Sequence, residues 1–141
     1  MPVPQKPDFS GEWSLNRQAS TLSPGADAIR TGVVRIEHRD PKFQYQAEFV
    51  SDTDTVHAKF ELMTEERETG GAQQEMKSGA SLRWDVDALL FTYVDGDLKI
   101  SFRYELMDAG RRLRAVEQLR ASGRSQDNIW IFDRNSAVMF E

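Results

Sequence analysis

The sequence contains no cysteine, which removes disulfides, thiolate nucleophiles and cysteine-ligated zinc together. Histidine is nearly as scarce: only His38 and His57 occur, and no metal-binding spacing joins them. No metal and no cofactor is expected. The longest apolar runs are a few residues, far short of the roughly 20 that a membrane-spanning helix needs. Acidic residues outnumber basic ones, 23 to 18, giving a net charge of -5. That balance repels a phosphate backbone, so nucleic acid is not an expected partner. The interior of the 141 residues also lacks a linker rich in proline, serine or glycine. One domain is therefore expected over 1–141, with a flexible, proline-rich lead-in at 1–7. That lead-in has no apolar stretch of the kind a secretory leader carries, so the chain as written reads as cytoplasmic. An exported protein whose leader had been replaced by a start methionine would look the same.

What the chain has is alternation. Phe9, Gly11, Trp13 and Leu15 share one parity, so an extended strand lines them on one face that must be buried. The following segment, Arg17 to Gly32, alternates little. Pro24-Gly25 signals a turn, and Ala26 to Arg30 fit one or two helical turns that Gly32 would end. A connection this long is expected to lie as a lid across one end of the fold.

From Val33 the period becomes two and stays so. Val34, Ile36 and His38 share a face, and Asp40-Pro41 breaks the strand. Phe43, Tyr45, Ala47 and Phe49 then share a face, as do Val56, Ala58, Phe60 and Leu62, which leaves His57 toward solvent. Thr64 to Gly71 reads as a loop. Gln73 to Asp85 reads as one long strand, with Gly79 as a bulge or bend. A turn at Val86-Asp87 would pair Trp84 with Leu89, Leu82 with Phe91 and Ala80 with Tyr93. A turn at Asp95-Gly96 leads to Leu98, Ile100, Phe102, Tyr104 and Leu106. Asp108 to Gly110 turns again into Leu113, Ala115, Glu117 and Leu119, and Ser122-Gly123 into Asn128, Trp130, Phe132 and Arg134.

About nine strands joined by short hairpins, within a range of 8–10, give an all-β chain. Each strand has one apolar face. An up-and-down antiparallel β-barrel buries those faces and removes the sheet edges. A two-sheet sandwich would need a longer late connection than the sequence offers.

The first strand, Phe9-Ser10-Gly11-Glu12-Trp13-Ser14-Leu15, the lid-like segment after it and the last strand, Trp130-Ile131-Phe132-Asp133-Arg134, resemble the calycin superfamily of lipocalins and fatty-acid-binding proteins. The resemblance implies a Gly-x-Trp packed at the closed end of the barrel under a late arginine, positions that Trp13 and Arg134 match. It also implies a small-molecule cavity. Trp130 and Phe132 stand where fatty-acid-binding proteins carry carboxylate-binding residues. Independently of the family, an arginine laid on an indole gains about 0.5–2 kcal/mol and would tie the first strand to the last.

The inward faces carry few polar groups, and Glu117 is the informative one. An unpaired carboxylate there would be costly. Three readings are open: it has a partner such as His38 or a tyrosine, it meets a donor on a ligand, or a bulge turns it outward. The expected function is binding of a small, mainly hydrophobic, aromatic ligand by a monomer or weak dimer. Tyr45, Trp84, Tyr93, Phe102, Tyr104, Trp130 and Phe132 are the ligand-binding candidates. The alternative is an isomerase, lyase or cyclase working by proton transfer, with Glu117 and His38 as its acid/base couple.

Overall fold

Strands of alternating polarity bury one face only, and here that face turns inward. In the computed structural model, which describes residues 7–65 and 78–135, the strands close into a barrel in chain order. They are β1 (Gly11–Leu15), β2 (Ile29–Arg39), β3 (Lys42–Ser51), β4 (Thr55–Glu65), β5 (Ser78–Asp85), β6 (Ala88–Asp95), β7 (Leu98–Met107), β8 (Arg112–Ala121) and β9 (Arg124–Arg134). Short 3-10 turns at Ala26–Ala28 and Asp108–Gly110 are the helical elements among the described residues. The all-β barrel expected from the alternation is the fold.

The register follows parity. Trp84 pairs with Leu89, Leu82 with Phe91 and Ala80 with Tyr93, so the tight turn after Asp85 sets all three. Across β8 and β9, Leu113 faces Phe132, Ala115 faces Trp130 and Glu117 faces Asn128. Phe9, Trp13, Val34, Phe43, Leu82, Trp84, Leu89 and Leu113 are almost wholly buried.

Four local expectations are corrected. Gly32 does not end a helix: it lies inside β2 opposite Phe49, whose ring fills the space that a side chain would need, 2.7 Å from an added Cβ. Thr64 is strand, not loop, and Thr64 and Glu65 pair in parallel with Leu82 and Arg83. One junction of the meander is thus parallel, because β4 and β5 both run toward the same end. The pairing of β5 with β6 is continuous through Gly79, which excludes the bulge but not the bend, since Gly79 has φ +112. The turn between β6 and β7 is centred on Gly96-Asp97, one residue later than expected. The remainder of the expected 64–71 loop and the 73–77 part of the long strand fall outside the described residues.

The clasp between the ends of the chain has a defined geometry. The Arg134 guanidinium carbon lies 4.3 Å from the centre of the Trp13 ring. Its Nε donates to the Gly110 carbonyl at 2.9 Å and one terminal nitrogen to the Ser10 carbonyl at 2.7 Å. The Trp13 indole in turn donates to the Phe9 carbonyl at 3.1 Å. Gly11 has φ +142, and a Cβ there would collide with the guanidinium, so its lack of a side chain admits the clasp.

The first strand meets the last at Trp13, Ser14 and Leu15. Beyond Leu15 the chain stays on β9: Asn16 donates to the Ile131 carbonyl, and Thr21 and Ile129 exchange both backbone bonds at 2.8 Å. The lid segment therefore continues the closure that β1 begins. Replacing Arg134 with Ala should lower stability by about 3 kcal/mol, the sum of a cation-π contact and two charge-assisted hydrogen bonds. That is a drop in Tm of roughly 10 °C for a chain of this size, and Arg134→Lys should recover only part of it. A thermal melt showing Arg134→Ala unchanged would contradict the clasp.

Candidate functional site

The stagger of the strands divides the interior into two levels. At the closed end, the turn between β2 and β3 places Asp40 against three donors. Its Oδ1 accepts from Trp84 Nε1 at 3.0 Å, from the Thr64 hydroxyl at 2.7 Å and from His38 Nε2 at 3.2 Å. The other imidazole nitrogen of His38 accepts the Phe9 backbone N–H at 3.3 Å, which fixes the proton on Nε2. Phe9 packs on both rings, 5.8 Å from His38 and 6.2 Å from Trp84.

Toward the other end, the apolar faces leave a cavity of about 480 Å³. Five rings close a circuit around its wall. Tyr45 stacks on Phe60 at 4.8 Å, Phe60 on Phe91 at 4.8 Å, Phe91 meets Phe102 at 6.2 Å, Phe102 stacks on Tyr104 at 5.7 Å, and Tyr104 returns to Tyr45 at 6.2 Å. Phe49 faces Trp130 at 5.5 Å and Phe132 at 6.4 Å, making the opposite wall. Gly25, Ala26, Val56, Arg124 and Gln126 also line the cavity. They belong to the lid and to the turn ends of β4 and β9, so they form its rim.

The polar groups in this wall are few and connected. Glu117 faces inward from β8, with no break of register to turn it out. Its Oε1 accepts from Trp130 Nε1 at 2.8 Å and from Asn128 Nδ2 at 3.0 Å. Asn128 Oδ1 accepts the Ser23 backbone N–H at 2.6 Å, so the same chain of bonds holds the lid. The hydroxyls of Tyr45 and Tyr104 interact with each other, and both feel the charge of Glu117. Burial first, and the Glu117 carboxylate in addition, push both phenols above their ordinary value. They stay protonated donors at any ordinary pH.

Of the residues singled out from sequence, Tyr45, Phe102, Tyr104, Trp130, Phe132 and Glu117 are brought together around the cavity. Trp84, Tyr93 and His38 are not among its lining residues. Trp84 and His38 have the inward parity but sit a level lower, consumed by Asp40 and Phe9. Tyr93 lies further along β6 toward the turn at Gly96 and is half-buried. The Glu117–His38 couple is not assembled, since each group is hydrogen-bonded to other partners. Phe49, Phe60 and Phe91 line the cavity without having been singled out; their parity placed them inside, but nothing local gave their depth. Asp40 read only as a strand breaker before a proline.

No family profile and no curated protein matches the sequence. Solved structures do. The fluorescent protein UnaG is 18% identical, with a TM-score of 0.55 over 90% of this chain and 97% of that one. The zebrafish ileal bile acid-binding protein, complexed with cholic acid, is 13% identical, with a TM-score of 0.56 over 90% and 98%. Human cRBP IV is 17% identical, with a TM-score of 0.56 over 92% and 99%. The fold is the closed β-barrel that these proteins share. Coverage this complete leaves little of the chain outside the shared barrel, and at these identities the fold is what is shared. In this barrel, the closed end is the level of Asp40, His38 and Trp84.

That assignment of Asp40 has a pH signature. Burial alone would raise its carboxyl, but bonds from Thr64, His38 and Trp84 outweigh this and hold it below the usual 3.8. A lowered carboxylate stabilises the fold above its unfolded value, and the contribution disappears as pH falls through the folded one. Asp40→Asn should therefore cost about 1–2 kcal/mol at pH 7. Its Tm deficit against the natural chain should narrow below about pH 4. A deficit that is the same at pH 7 and pH 3 would contradict this role.

Proposed function

We propose that the barrel binds one small, mainly hydrophobic, aromatic ligand in its cavity. The observation that carries this reading is the pairing of volume with lining. About 480 Å³ is left unfilled inside the barrel, walled by stacked rings with a few connected polar groups. A protein interior is normally packed close to crystal density, so apolar space of this size loses dispersion contacts that a ligand would restore. Small-ligand sites have this composition: apolar walls and a few polar groups that fix orientation. The bile acid-binding protein complexed with cholic acid shows that a barrel of this fold can hold a small amphipathic molecule.

The rings suit a flat, aromatic occupant. Phe91 and Phe102 on one side and Trp130 on the other present faces and edges for offset stacking, worth about 0.5–1.5 kcal/mol per pair beyond burial. The alternative of catalysis rests on Glu117 with His38, and each of these is hydrogen-bonded to other partners.

Trp130 stands in the wall, so occupancy should be visible in tryptophan emission. Titration with N-phenyl-1-naphthylamine should give saturable quenching at one site per chain. At a hundred times Kd the probe should raise stability by about 2.7 kcal/mol, or Tm by roughly 5–10 °C. Ala58 lines the cavity from β4, and Ala58→Phe should weaken binding at least tenfold by occupying the space. Linear, unsaturable quenching with no change in Tm would overturn the reading.

A further inference from the structure

Among the described residues the cavity wall holds one carboxylate, Glu117, and only half of it is used by the protein. Oε1 of Glu117 accepts both Trp130 Nε1 and Asn128 Nδ2. Oε2 receives no hydrogen bond from any described residue, yet Glu117 is part of the lining. Among the described residues the only cationic side chain in the lining is Arg124, which starts β9 at the rim; it pairs with Ala121, and Glu117 lies four residues deeper along β8, past the Leu119–Gln126 pair. Among the described residues Arg124 makes no ion pair with Glu117.

This arrangement discriminates between occupants. A ligand that fills the cavity shuts Oε2 off from solvent. A purely apolar ligand leaves that oxygen desolvated without a partner, which is unfavourable. A ligand carboxylate adds repulsion from a like charge in a low-dielectric space. A protonated amine supplies both the donor and the opposite charge. The rings beside Glu117 act in the same direction, because the faces of Trp130, Tyr45 and Tyr104 attract a cation. The charge of Glu117 is felt at both tyrosine hydroxyls, so the carboxylate and the aromatic circuit share one local field.

We infer that the cavity is built for an aromatic ligand bearing a protonated amine, with the ammonium on Glu117 Oε2 and the ring in the aromatic circuit. This rests on the ligand-binding reading above and adds the charge class of the ligand to it.

Three probes with one ring system separate the possibilities: 1-naphthylmethylamine, 1-naphthylmethanol and 1-naphthoate, each titrated calorimetrically into the full chain at pH 7. The amine should bind about tenfold more tightly than the alcohol, and the carboxylate more weakly than either. In Glu117→Gln the ratio of amine to alcohol affinity should fall to about one. The ratio in the natural chain is decisive even if that variant folds poorly. Alcohol and amine bound equally, or carboxylate bound best through Arg124 at the rim, would overturn this inference and leave the apolar-ligand reading standing. Binding of none of the three would remove both.

Discussion

The guanidinium of Arg134 laid on the indole of Trp13 joins the two ends of the chain, and the interior depends on that junction. Among the described residues, strands β1 and β9 pair at Trp13, Ser14 and Leu15, a short seam for closing a barrel. Arg134 lengthens it through its bonds to the Ser10 and Gly110 carbonyls, and the lid segment extends it in the other direction through Thr21 and Ile129. If the seam opened, every inward face would meet water along it, and the sheet would regain two unpaired edges. Closure is what lets a chain with one apolar face per strand have an interior at all.

Within that interior, two carboxylates show how surroundings decide role. Asp40 sits at the closed end, with three donors on one oxygen and a side chain that is 40% exposed. Its charge is met by protein and water together, and it organises packing. Glu117 has two donors on one oxygen and an apolar cavity beside the other. The same functional group ties down the floor in one place and faces an occupant in the other. Asn128 links the second case to the lid, since it bonds Glu117 with its amide nitrogen and Ser23 with its oxygen.

Period-two alternation made the strands, their inward faces and most turns legible, because parity is a local property of the chain. The match of Trp84 with Leu89 and of Leu82 with Phe91 followed from a two-residue turn alone. Depth was not legible. His38, Trp84 and Tyr104 share the inward parity, but the level each occupies depends on strand stagger, a property of the whole barrel. His38 and Trp84 consequently belong to the closed end, while Tyr104 belongs to the cavity. Gly32 looked like a helix stop because nothing nearby announces the Phe49 ring it accommodates. The parallel contact of β4 with β5 is likewise a tertiary outcome, carried by residues far apart in the chain.

The central claim is that these alternate side chains surround a cavity that admits an aromatic molecule. The direct measurement is a set of intermolecular nuclear Overhauser effects between 1-naphthylmethanol and isotope-labelled protein. Contacts are expected from the probe to the ring protons of Tyr45, Phe60, Phe91 and Trp130, on four different strands at once. Contacts confined to outward residues such as Val86 and Met107, with the interior rings silent, would contradict it.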